Sequence, residues 1–259
     1  MIMYQDILYN VGDDVAQITI NRPKVLNAFT PKTLDEIHDA LKRAAEDKNV
    51  GVIVLTGTGE RAFCAGGDIN WESSDDFQSH EYETHLHILN CPKPVIARVN
   101  GYAIGGGNHL AYICDLTVAA DHAIFGQNGS RVGSPAAGCT VAQSANIIGH
   151  KRAREMWLTC RRYSAQHMMN WGLVNSVVPY ADLDNEVRRF VNDLLKGSPT
   201  CQKILKAAFR DQMSPIINVR QDETVRRIAP DYFKTEEQAE GTRAFFEKRA
   251  PNFRPFRGA

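Results

Sequence analysis

The chain reads as an α/β protein with mainly parallel strand pairing. Apolar, strand-like runs recur at residues 15–20, 50–55, 95–99 and 116–119. Stretches with helical apolar spacing separate them, and glycine turns follow two of the runs. Alternating strands and helices are what a parallel sheet with crossover helices requires.

Residues 15–20 alternate and stop at Asn21-Arg22-Pro23. Thr30 then stands as an N-cap with Pro31 in the first turn, and Leu34, Ile37, Leu41 and Ala44 follow at helical spacing. The run at 50–55 is rich in β-branched residues and is followed by Gly57 and Gly59. Residues 71–85 are polar, acidic and histidine-bearing, which predicts a loop running into a helix. The strand at 94–99 leads into a glycine segment at 101–107 and a short helix. From Lys151 onward the pattern is mostly helical. A helix is expected at 165–171, stopped by Gly172, then a strand at 173–178 ended by Pro179. Further helices are expected at 183–196, 200–213 and 236–249. Gly197-Ser198-Pro199 suggests a division into a core, 1–197, and a helical region, 198–259, too small to fold unaided.

The length of 259 residues is ample for a buried core. Lys+Arg and Asp+Glu both number 30, which gives no support for nucleic-acid binding through bulk charge. No apolar run is long enough to cross a bilayer, and the first residues lack the blocks of a signal peptide. The six cysteines are scattered without C-x-x-C spacing, so neither a disulfide framework nor a zinc site is indicated. A reducing cytoplasm is the expected compartment.

The segment Gly101-Tyr-Ala-Ile-Gly105-Gly106-Gly107-Asn108-His109 carries the most information. A strand, a glycine turn and a helix start expose backbone N–H groups at the positive end of a helix dipole. That suits an oxyanion hole, and it equally suits close packing of helix on strand. A second small-residue turn, Ala62-Phe63-Cys64-Ala65-Gly66-Gly67-Asp68, follows another strand. Two such turns can each direct one N–H at the same oxygen.

With Asn21-Arg22-Pro23 and Asn27-Ala28 upstream, this pair of turns resembles the crotonase (enoyl-CoA hydratase/isomerase) superfamily over essentially the whole chain. The resemblance implies a spiral of strand–strand–helix turns and a helical C-terminal region used in trimerisation, as a homotrimer or a dimer of trimers. It implies that the N–H groups of Ala65 and Gly106 hold the thioester oxygen of an acyl-CoA. Ala28, Ala62, Gly67 and Asp68, around the two turns, are expected to touch substrate, although Asp68 also suits a helix cap. Coenzyme A enters as part of the substrate, and no tightly bound cofactor or metal is expected.

Enoyl-CoA hydratases usually carry two glutamates that act on one water. Here the matching positions are His109 and Gly129. The runs 114–121, 123–127 and 151–157 resemble instead the 1,4-dihydroxy-2-naphthoyl-CoA synthases and 2-ketocyclohexanecarboxyl-CoA hydrolases, where a glycine at 129 is the rule. In some of those synthases a bicarbonate is held by positions matching Gln127 and Trp157, beside Asn128; the competing reading has Gln127 capping a turn and Trp157 in the core. The chain departs from this branch at Ala136 and Cys139, which replace an aspartate and an aromatic residue.

His109, in the first turn of a helix, is therefore the candidate base, against the reading of a packed histidine bonded to backbone. Ser134 and Cys139 are weaker candidates; Cys139 also reads as a small buried residue. His80, His85, His87, Asp75, Asp76, Glu81 and Glu83 match no metal spacing and read as an active-site flap, with Trp71, Tyr82 or His85 covering the acyl group. Lys248, Arg249, Arg254 and Arg257 form a basic run suited to the phosphates of CoA or to a solvated tail. Tyr232 or Phe233 lies near a family position that reaches into an adjacent site.

Three functions follow in order. The first is carbon–carbon bond chemistry, chiefly hydrolytic ring opening, of a cyclic β-keto acyl-CoA through a thioester enolate. The second is hydration or isomerisation of an alicyclic enoyl-CoA. The third is non-catalytic binding of an acyl-CoA.

Overall fold

The computed structural model describes residues 4–72, 80–213, 224 and 227–256, without the side chains of 80–83. Strands β1 (Ile7–Gly12), β2 (Val15–Ile20), β3 (Val52–Gly57), β5 (Val95–Val99), β7 (Leu116–Ala120) and β10 (Ser176–Val178) form one sheet in the order β1-β2-β3-β5-β7-β10. Every neighbouring pair is parallel except the β1–β2 hairpin. Short strands β4 (Ala62–Cys64), β6 (Tyr102–Ile104), β8 (Ile124–Gly126) and β9 (Arg162–Ser164) form a second sheet in that order, with β9 antiparallel.

The chain thus climbs in turns of long strand, short strand and helix. Strands β3 and β4 lead to α2 (Ile69–Glu72) and α3 (His80–Asn90), β5 and β6 to α4 (Gly106–Ile113), and β7 and β8 to α5 (Gly129–Val132). This is the spiral that the resemblance implies. Every residue of β3 and β5 is buried, because a parallel sheet covered on both faces has no wet side.

Helix α1 (Pro31–Glu46) begins where the caps predict. The Thr30 side chain accepts from Thr33 N–H, Thr33 returns the bond, and Pro31 needs no donor. Leu34, Ile37, Leu41 and Ala44 point inward. They join Phe29, Phe63, Phe125, Ile18 and Leu55 in the main core.

Two predicted strands change their limits. The third starts at Val52, not Val50, because Val50 and Gly51 donate to the Asp47 and Asp14 carbonyls in a turn. The last keeps only Ser176–Val178. Leu173 and Val174 donate to the Met168 carbonyl and so close α8 (Ala165–Asn170), and Asn175 clasps Thr117 through both backbone and side chain.

Beyond β8 lie α6 (Cys139–Ile148), α7 (His150–Thr159), α9 (Leu183–Leu195), α10 (Pro199–Gln212) and α11 (Glu236–Phe246). The last is shorter than predicted, since Lys248 takes a left-handed φ of 54° and Arg249 N–H turns back to Ala244. Among the described residues no helix is long and apolar enough to cross a membrane.

Candidate active site

The two glycine turns stand side by side because β4 pairs with β6, with Cys64 opposite Ala103. Asn27 locks the approach to them. Its Oδ1 accepts Arg22 N–H at 3.0 Å, and its Nδ2 donates to the carbonyls of Ala62 (2.7 Å) and Thr58 (3.1 Å). A φ of 56° makes asparagine a suitable residue there. Arg22 extends the lock: it donates to the Ala28 carbonyl and pairs with Asp68 at 3.2 Å and Asp6 at 3.6 Å.

Helix α4 begins directly against the end of β4. A Cβ at residue 107 would run into the Cys64 carbonyl, so only glycine allows this approach. The close-packing reading of the glycine segment is thus realised. Close packing brings the helix down, and Gly106, opening α4, has an N–H with no acceptor inside its own helix. An ideal Cβ at Gly66 would stand 3.3 Å from that nitrogen.

A cavity of about 980 Å³ opens over these turns. Of the residues predicted from sequence, its wall includes Ala28, Ala65, Gly67, Asp68, Gly106, His109, Gln127, Asn128, Gly129, Ser134, Trp157 and Lys248. Ala136 lines it as well. Ala62 does not; it is buried, and its carbonyl is held by Asn27 and Asn100. Trp71 packs on Phe29, and Tyr232 sits beside Phe233, both off the cavity wall. Cys139 is fully buried at the start of α6, and burial pushes its thiol up to about 11. At neutral pH it is a small packed thiol, not a nucleophile.

The amides of the expected oxyanion hole are in different states. Ala65 N–H donates to the Leu26 carbonyl at 3.1 Å. Leu26 itself adopts a φ of 54°. Sequence reading did not single out Leu26, and only the left-handed backbone at 26–27 brings its carbonyl there.

His109 is only 3% exposed. Its Nε2 lies 3.0 Å from Gln127 Oε1, and its ring stacks on Trp157 with centroids 5.1 Å apart. His85, also buried, lies 5.6 Å away by ring centroid. Gln127, the residue after β8, thus directs its side-chain oxygen to His109.

Trp157 directs its indole N–H to Ser144 Oγ at 2.8 Å. Gln127 Nε2 is buried without an acceptor among the described residues. Of the two donors that the resemblance implies for bicarbonate, one is committed elsewhere. The donor set therefore fits such an anion poorly.

Gly129 opens α5, a single turn closed by Ser134 N–H on the Gly129 carbonyl at 3.0 Å. A Cβ at 129 would run into the Ser134 carbonyl oxygen, so this backbone excludes a glutamate. Asp68 Oδ1 accepts Asn70 N–H at 3.1 Å and so caps α2. Among the described residues, the carboxylates on the cavity wall are Asp68 and Glu72; the sequence reading passed over Glu72 inside a polar loop.

Exposed Lys24, Arg61, Arg162 and Lys248 also line the cavity, a cationic set suited to a polyphosphate. Arg249 belongs elsewhere. It pairs with Glu240 at 2.6 Å and Glu247 at 2.5 Å, and so folds the chain back after α11. Arg257, Asp75 and Asp76, and the side chains of His80, Glu81, Tyr82 and Glu83, lie outside the described residues. Among the described residues no group of three His, Cys, Asp or Glu side chains is placed to hold a metal ion.

A family model described as enoyl-CoA hydratase/isomerase matches residues 10–255. Among solved structures, an enoyl-CoA hydratase from Mycobacterium avium subsp. paratuberculosis K-10 is 29% identical, with 97% of this chain and 99% of that one covered and a TM-score of 0.83. Enoyl-CoA hydratase subunit I from Geobacillus kaustophilus HTA426 is 33% identical over 96% and 98%, with a TM-score of 0.76. A methylmalonyl-CoA decarboxylase solved with 2-nitronate-propionyl-CoA shares the fold at 24% identity, with 97% and 99% covered and a TM-score of 0.87.

Proposed function

Since the chain belongs to the enoyl-CoA hydratase/isomerase family, within the crotonase superfamily of acyl-CoA enzymes, we propose that it opens the ring of a cyclic β-keto acyl-CoA by hydrolysis. The observation that carries this reading is the make-up of the cavity. It joins a helix-terminal N–H at Gly106, which has no acceptor inside its own helix, to a buried histidine, with His109 and Gly129 where hydratases keep glutamates.

The thioester oxygen takes Gly106 N–H, and Ala65 N–H joins once the substrate oxygen displaces the Leu26 carbonyl. His109 removes a proton from water as the water adds to the ring ketone. The carbon–carbon bond then breaks, its electron pair passes into the thioester enolate, and the carbon takes up a proton. Lys24, Arg61, Arg162 and Lys248 are assigned to the CoA phosphates. The exposed Ile204, Leu205 and Phe209 of α10 support packing of residues 198–259 on neighbouring subunits of a trimer.

Incubation with 2-ketocyclohexanecarboxyl-CoA, with mass-spectrometric detection of a dicarboxyl-CoA product, tests the reading. Absence of turnover overturns it. The same cavity serves addition of water to an alicyclic enoyl-CoA, with His109 in a glutamate's place. Cyclohexenoyl-CoA and crotonyl-CoA run in parallel decide between the two, and tight binding of every ester without turnover identifies a non-catalytic homologue.

A further inference from the structure

The chemistry above needs two proton-transfer groups, one for water and one for the α-carbon of the thioester. Both glutamates of the resembled hydratases are absent, and the Gly129 backbone has no room for one. His109 supplies a single ring. Among the described residues, the second group is to be sought among the other side chains on the cavity wall.

Two carboxylates line that wall among the described residues. Asp68 is engaged by Arg22 at 3.2 Å and caps α2 through Asn70 N–H. Glu72 is the other. It closes α2, with its N–H on the Asp68 carbonyl at 2.9 Å, and its carboxylate folds back over the second glycine turn. A Cβ at Gly67 would overlap Glu72 Oε1, so the missing side chain at 67 is the space that the carboxylate fills. The next residue back, Gly66, is the one whose Cβ position stands 3.3 Å from Gly106 N. The carboxylate thereby lies against the residue that follows the Gly66 bend, on the wall of the same cavity as Gly106 and His109.

We propose that Glu72 is the group that carries the proton to and from the α-carbon of the bound acyl-CoA, paired with His109. The proposal rests on the acyl-CoA reading above. In the exchange direction, the Glu72 carboxylate takes the α-proton, the C–H pair moves into the thioester as enolate, and the carboxylic acid returns a proton to the same carbon. In ring opening, protonated Glu72 delivers its proton to the enolate carbon. The proton that His109 took from water then passes through solvent to Glu72, which restores both groups.

The full-length protein is incubated with butyryl-CoA in deuterium oxide, and α-deuteration is followed by mass spectrometry. Binding of butyryl-CoA is measured separately by calorimetry. Wild type should exchange the α-proton. Glu72→Gln should slow exchange at least 100-fold, within the range of general acid–base effects of about 10²–10⁴, with binding changed less than about threefold. Glu72→Asp should recover a measurable part of the exchange, which a purely structural role would not predict.

Exchange by Glu72→Gln within threefold of wild type overturns the proposal. So does a wild type that binds butyryl-CoA without exchanging it. If wild type binds no butyryl-CoA, the acyl-CoA reading itself fails, and the binding isotherm shows that separately. Should Glu72→Gln not fold, Glu72→Ala decides: loss of the carboxylate should lower exchange at least 100-fold, and exchange within threefold of wild type overturns the assignment.

Discussion

Gln127 Oε1 lies 3.0 Å from His109 Nε2, and the main-chain carbonyl of the same glutamine accepts Arg162 Nη1 at 2.8 Å. One residue at the end of β8 therefore orients the buried imidazole and anchors a cation of the cavity wall. Gln127→Ala removes the partner of a ring nitrogen on a histidine that is only 3% exposed. The expected loss is about 1–3 kcal/mol, the usual cost of a buried polar group left unsatisfied. A lower urea midpoint at unchanged slope checks it.

Gly129→Glu restores the residue type that enoyl-CoA hydratases keep there. In this chain it should destabilise the fold and yield no gain in crotonyl-CoA hydration, because the first side-chain carbon meets the Ser134 carbonyl. Overpacking of this kind costs about 1–3 kcal/mol. Thermal unfolding and loss of the conjugated thioester absorbance provide the two measurements.

Asn27→Ala removes three hydrogen bonds and leaves the Ala62 carbonyl with one fewer donor. It also places alanine at a φ of 56°, where a Cβ is strained. A loss of about 2–4 kcal/mol is expected, from hydrogen bonds worth about 1 kcal/mol each plus the backbone strain. The urea midpoint reports it, and Asn27→Gly should recover the backbone share alone.

Glu240 is held well below the usual carboxylate range, first by its hydrogen bonds from Arg249, then by Asn252 N–H, with Arg243 adding to both. A carboxyl depressed in the folded state stabilises fully above its unfolded value of about 4.3, and that contribution is lost as pH falls below it. Wild type should therefore exceed Glu240→Gln in stability near pH 7, and the margin should close in acid. Urea titrations at neutral and acidic pH would show a constant margin if the pair contributed nothing.

Cys201 is exposed, whereas Cys64, Cys91, Cys114, Cys139 and Cys160 are buried, and burial raises the thiols of Cys91, Cys114 and Cys139. Iodoacetamide near pH 8 should label Cys201 alone in the native protein, because the thiolate is the reactive form. Peptide mapping that finds Cys139 labelled as fast as Cys201 would contradict its placement inside.

What could be read along the chain was local. Thr30 and Pro31 announce α1, β-branched runs announce the long strands, and small-residue turns after strands announce the two bends of the cavity, since caps, periods and positive φ act within a few residues. The three-residue strands β4, β6 and β8 escaped, being too short to show any period; they exist because each continues a long strand into the next turn of the spiral. Tertiary structure alone decided which groups meet. Leu26 reaches Ala65 through a left-handed bend, Trp157 is drawn to Ser144, and Glu72 folds over Gly67 because that residue has no side chain. Such encounters depend on where bends and side chains come to lie in space, which no pattern of neighbours encodes.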